Sequence, residues 1–149
     1  MKAFKLLAIA ALLLTTACQS SGRTYAEMVK TNAFLPIEQD KGRVFLYRYS
    51  TLGFAIQPPL RIDGIQVGDS VAEGFFYVDL PAGEHRATAE TEVEKSLAFM
   101  LNKDETVYIK QSPALGWLVG RIELEKAEPI QAKNELTELK YQKDSAPKK

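Results

Sequence analysis

This 149-residue chain has one cysteine and one histidine. A lone cysteine, Cys18, excludes an intrachain disulfide, so the fold must hold by packing. A lone histidine, His85, has no second imidazole with which to share a metal ion. No zinc-type ligand spacing, G-x-S-x-G elbow or glycine-rich phosphate loop occurs either. An excess of charge of one sign is also missing. The 19 basic and 19 acidic residues cancel, which is no signature of a nucleic-acid binder, whose surface is basic. Finally, no apolar run approaches the roughly 20 residues that a membrane-spanning helix needs. The expectation is a protein that is not an enzyme and carries no cofactor. His85, one residue beyond a tight turn, reads as a turn cap or a residue packed at a strand edge. The acidic residues Glu84, Glu90, Glu92 and Glu94 read as a solvated strand face that discourages edge pairing.

The chain opens on Lys2 and Lys5, followed by the short apolar run LLAIAALLL at residues 6–14 and by Thr15, Thr16, Ala17 and Cys18. A charged start, a greasy middle and small residues at the end have the form of a cleaved export signal. With cysteine as the last element, the segment resembles a bacterial lipoprotein signal peptide, although Thr15 stands where leucine is usual. That resemblance implies a diacylglycerol on the Cys18 sulfur, cleavage between Ala17 and Cys18, and acylation of the new amino group. Gln19, in place of the aspartate that favours inner-membrane retention, implies the outer membrane, with the domain facing the periplasm. Loss of Lys2 and Lys5 with the signal would take the net charge from zero to −2.

Residues 18–41 are expected to be a lipidated tether and lead-in, with a short helical turn begun by Thr24 and Glu27 at capping-box spacing. From residue 42 the apolar period becomes two. Residues 44–49 read as a strand with Val44, Leu46 and Arg48 on one face and Phe45, Tyr47 and Tyr49 on the other. Asp63-Gly64 is a strong two-residue hairpin signal. Residues 74–80 form a further strand, with Phe76, Val78 and Leu80 opposed to Phe75 and Tyr77. Pro81-Ala82-Gly83 reads as a three-residue hairpin connection, 97–101 and 106–110 as strands, 113–116 as a loop and 117–125 as the longest strand. Strands at this spacing predict a mainly β domain, an antiparallel β-sandwich over 42–126. Pro129 suits the first position of a C-terminal helix running to Lys140, with an apolar stripe of Ile130, Leu136, Leu139 and Ala132. The lysine-rich end completes the 127–149 segment as a frayed tail.

Four segments, GRVFLYRY at 42–49, IDGIQVG at 62–68, FYVDLPAGEH at 76–85 and ETVYIK at 105–110, together resemble a bacterial lipoprotein domain of unknown function. That domain is itself similar to PEGA-type β-sandwich modules. The resemblance implies a fold and an envelope address, and supplies no catalytic residues.

Candidate functional residues are therefore few. Cys18 is the lipidation site and Gln19 the sorting residue. Arg48 shares a face with Val44 and Leu46; if that face is core, its guanidinium requires a partner, and it is the candidate structural ion pair. Tyr47, Tyr49, Tyr77 and Trp117 lie opposite the aliphatic faces, with Phe45 and Phe75, and are candidate interaction residues. The competing and favoured reading of that aromatic face is a second core covered by the C-terminal helix. The expected function is a membrane-anchored, non-enzymatic interaction or structural module of the cell envelope. Its partners are the membrane, through the lipid, and an envelope protein, with no nucleic acid. The alternative is a periplasm-facing binding protein for a small apolar ligand.

Overall fold

A computed structural model describes residues 22–53, 55–91, 93–115 and 120–142. Cys18, Gln19 and Trp117 lie outside the described residues. The first element is a single short helix, α1 (Tyr25–Lys30). It starts where the capping box closes: the Glu27 backbone N–H donates to Thr24 Oγ1 at 3.2 Å, and the Thr24 N–H donates to the Glu27 carboxylate at 2.8 Å. Two of the orphan donors of a helix start are thereby satisfied.

Alternating residues then build strands β1 (Lys41–Arg48), β2 (Pro59–Ile62), β3 (Ile65–Asp69), β4 (Gly74–Pro81), β5 (Gly83–Ala89), β6 (Lys95–Leu101), β7 (Thr106–Ala114) and β8 (Arg121–Ala127). Helix α2 (Pro129–Leu136) and the two-residue strand β9 (Lys140–Tyr141) complete the order. The strands form a five-stranded sheet, β8-β7-β1-β4-β9, and a four-stranded sheet, β3-β2-β5-β6. This is a β-sandwich, mainly β, with a helical turn before it and a helix after it.

Pairing departs from the local expectations in three places. Pro81-Ala82-Gly83 does not close a hairpin: β4 pairs with β1, and β5 pairs with β2 and β6. The chain crosses from one sheet to the other at this corner. Gly83, at φ +150°, supplies a backbone conformation that a side chain would strain. Second, β1 pairs with β7 in parallel, as β4 does with β9, so the five-stranded sheet is mixed. Third, β7 continues through Pro113 and Ala114, paired to Ile122 and Arg121, where a loop was expected. Proline is tolerated in a strand only where no ladder donor is required of it. Correspondingly β8 begins at Arg121 and β7, with nine residues, is longer. The Asp63-Gly64 turn does join β2 to β3, with both residues at positive φ.

Each face of the five-stranded sheet is covered. Inside the sandwich, Val44, Leu46, Phe76, Val107, Ile109 and Ile122 meet Leu60, Ile62, Ala87, Phe99 and Leu101 of the other sheet. On the outer face, Phe45, Tyr47, Phe75 and Tyr108 lie under Met28 of α1, Ala132 and Leu136 of α2, and Leu139. The helix stops at Leu136, short of Lys140, and the chain returns to the sheet edge as β9. Its buried stripe is Ala132 and Leu136, continued by Leu139 beyond the helix end. Ile130, expected in that stripe, is 79% exposed. Ile130 stands two residues before Ala132, about 200° round the helix, and so lies on the side opposite the buried stripe.

Candidate functional site

The aromatic face expected to choose between a partner and a second core is a second core. Tyr47 has no exposed surface. Its hydroxyl donates to Glu135 Oε2 at 2.7 Å, while Lys110 Nζ and Gln131 Nε2 donate to Glu135 Oε1 at 2.7 and 3.0 Å. This polar clasp ties α2 across β1 and β7. Burial would push the Glu135 carboxyl up, but the donors, led by Lys110, hold it below its usual range. Burial and the Glu135 carboxylate push the Tyr47 phenol far up, so it remains a donor. Tyr47 is thus not available as interaction surface. Tyr77 is half-buried against the same core. Tyr49, one residue beyond the end of β1, is 56% exposed. The structure therefore does not bring Tyr47, Tyr49 and Tyr77 together on one open patch.

Arg48 is buried, as its place beside Val44 and Leu46 required, but it is not in an ion pair with any described carboxylate. Its guanidinium donates to backbone carbonyls: Nη1 to Ile56 at 2.7 Å and Ser70 at 3.2 Å, Nη2 to Gly53 at 2.8 Å and to Leu52. The carbonyls belong to the segment that leaves β1 and to the turn after β3, so a side chain of the sheet fixes two connections. Burial lowers the guanidinium's pKa without threatening its charge.

Among the described residues the buried ion pair is instead Arg43–Asp79. The two residues face each other across β1 and β4. Arg43 Nε donates to Asp79 Oδ1 at 2.7 Å and Nη2 to Oδ2 at 2.8 Å, the bidentate geometry that guanidinium and carboxylate prefer. The guanidinium also lies 4.2 Å from the centre of the Tyr77 ring. Sequence reading missed this pair. Arg43 alternates with Phe45 and Tyr47, and Asp79 with Tyr77 and Phe75, so both were assignable to the aromatic face. Only the register made them neighbours.

His85 acts structurally, as its position suggested, and does more than cap a turn. Its Nδ1 lies 2.6 Å from Asp63 Oδ2 and its Nε2 2.8 Å from the Pro81 carbonyl. Asp63 Oδ1 accepts from the Arg86 N–H at 2.9 Å. Both neighbours of the ring only accept, so a ring protonated on both nitrogens satisfies both contacts. Burial works against that cation, yet Asp63 and the Pro81 carbonyl outweigh it and raise the His85 pKa. The imidazole joins the β2–β3 turn to the corner where the chain changes sheets.

A cleft of about 410 Å³ opens beside the second core. It is lined by Met28, Ala33 and Leu35, by Tyr77 and Tyr141, and by Gly22 and Arg23. The two tyrosine rings stack, with centroids 5.7 Å apart and planes 27° from parallel. Among the described residues, no group of three or more histidine, cysteine or acidic side chains could hold a metal ion, and no helix is long and apolar enough to cross a membrane.

The chain is 30% identical over 129 residues to an uncharacterized protein of Haemophilus influenzae, spanning 85% of this chain and 77% of that one. The two belong to one family. No protein-family model matches the chain. No solved structure matches it.

Proposed function

We propose that the protein is a lipid-anchored module of the bacterial cell envelope, held to the outer membrane through Cys18 and facing the periplasm, with a non-enzymatic role as an interaction or structural element. The observation that carries this reading is the start of the chain, a cationic and then apolar leader that ends in the only cysteine. Three acyl chains on Cys18 would make the anchor effectively permanent, since a single myristoyl chain already gives marginal binding and each buried methylene adds about 0.8 kcal/mol. The described polar clusters support a structural role. Glu135, Asp79 and His85 each have their hydrogen-bonding capacity directed at neighbouring elements. The resemblance to PEGA-like lipoprotein modules agrees with this reading. Radiolabelled palmitate fed to growing cells should be incorporated into the protein and lost on Cys18→Ser, because a hydroxyl does not form the thioether. Equal labelling of both forms would overturn the anchor. Gln19→Asp should then shift the protein toward inner-membrane fractions on a density gradient.

The cleft favours a second reading, a periplasm-facing protein that binds a small apolar ligand. Its volume falls within the range of small-molecule pockets, and most of the side chains that line it are apolar or aromatic.

A further inference from the structure

The cleft and the tether meet at one point. Gly22 and Arg23 line the cleft, and the chain is fastened to the sheet edge at Arg23 and Thr24. The Tyr141 N–H donates to the Arg23 carbonyl at 2.9 Å, and Thr24 forms a β-bridge with Lys140. At Gly22 the approach is so close that any Cβ would collide with the Tyr141 carbonyl. The start of the described chain is thus pinned against the cleft by backbone contacts that admit only glycine there.

Cys18 stands four residues before Gly22 in the sequence. Four residues of extended chain reach at most about 14 Å. Whatever the course of that short tether, a lipid on Cys18 is delivered close to the cleft mouth. Leu35, on the cleft wall, is 70% exposed, an apolar side chain that an occupant would cover. Met28 and Ala33 contribute aliphatic lining, and the stacked Tyr77 and Tyr141 complete it. The hydroxyls of Tyr77 and Tyr141 hydrogen-bond to one another, and the Arg43 guanidinium covers the Tyr77 ring.

We propose that this cleft receives one of the acyl chains carried by Cys18 when the protein is away from a bilayer, so that the domain shields part of its own anchor from water. The inference rests on the lipid-anchored reading above. It commits the cleft to a segment of this chain and so competes with the small-ligand reading.

The test uses the full-length protein, expressed with its own leader and extracted into a surfactant with fluorinated tails, which lack C–H bonds for a photoreactive ketone to attack. Intact mass is measured first; a mass without acyl groups would overturn both the anchored reading and this proposal. Benzoylphenylalanine is then placed at Leu35 and, as a control, at the exposed Ile130 of α2. Irradiation should join residue 35 to an acyl chain on Cys18 of the same molecule, with only background at residue 130. Ala33→Trp, which fills the cleft, should abolish the adduct. Excess free palmitate should abolish it too, and this second arm needs no variant to fold. An acylated protein that gives no adduct at residue 35, or equal adducts at both positions, overturns the proposal. Labelling of added palmitate but never of the Cys18 chains also overturns it, and assigns the cleft to a ligand from outside.

Discussion

Strand β1 has two buried faces, and each ends in an arginine with a different kind of partner. On the face toward the sandwich interior, Val44 and Leu46 lead to Arg48, which donates to the carbonyls of connecting segments. On the face toward the helices, Arg43 precedes Phe45 and Tyr47 and is met by the Asp79 carboxylate. A buried guanidinium must be satisfied, but who satisfies it decides what it organises. Carboxylate pairing across β1 and β4 reinforces strand register. Carbonyl pairing recruits backbone that has no ladder of its own, and orders connections at the end of the sheet.

The largest effect should come from separating these two roles. Arg43→Met would leave Asp79 buried without its partner, at a cost of about 3–5 kcal/mol. Arg48→Met would leave neutral carbonyl acceptors rather than a charge without a partner, two of them on the exposed residues Leu52 and Gly53, at a smaller cost of about 1–3 kcal/mol. Urea unfolding of the two variants measures the difference. Arg48→Met should in addition speed limited proteolysis near Leu52, while Arg43→Met should not do so at matched stability. Equal costs and equal cleavage patterns would mean that the two arginines play one role.

The outer layer can be broken separately from the inner one. Leu136 is fully buried over the aromatic face. Leu136→Asp should therefore destabilise the protein by about 3 kcal/mol, because a charge replaces a packed side chain. Thermal melting is the measurement. An unchanged melting temperature would mean that α2 is not needed to close the second core.

The smallest effect concerns His85 and its pH dependence. The folded-state pKa is raised, so the stabilisation from the imidazolium is fully present below the unfolded value of about 6.5 and fades as pH rises through the folded value. Burial would raise the Asp63 carboxyl, but the hydrogen bonds from His85 and the Arg86 N–H outweigh it and hold the group below its ordinary value. Its contribution is lost only as pH falls through that lowered value. Since Asp63 is half-exposed, the gain is modest. With a single histidine in the chain, NMR titration reads it directly. Asp63→Asn should bring the His85 pKa down, and a value unchanged by that substitution would remove Asp63 as the cause.

Much of this arrangement was legible in residues alone. The alternation at 44–47 and 75–78 assigned aliphatic side chains to one face and aromatic ones to the other, because successive strand residues point to opposite sides whatever the strand pairs with. The Thr24–Glu27 capping box, the Asp63-Gly64 turn and Pro129 at a helix start are likewise local, since each is decided by backbone geometry within a few residues. The start of the chain, with Cys18, carries the functional reading without any tertiary information. What only the tertiary structure decided is which local pieces meet. A turn sequence such as Pro81-Ala82-Gly83 does not encode whether the chain re-enters its own sheet or crosses to the other. Register across β1 and β4 created the Arg43–Asp79 pair, and folding brought the Ser70 carbonyl, with those of Leu52, Gly53 and Ile56, to Arg48 in place of the expected carboxylate. Each of these depends on contacts between residues far apart in the chain, whose closure local preferences cannot specify.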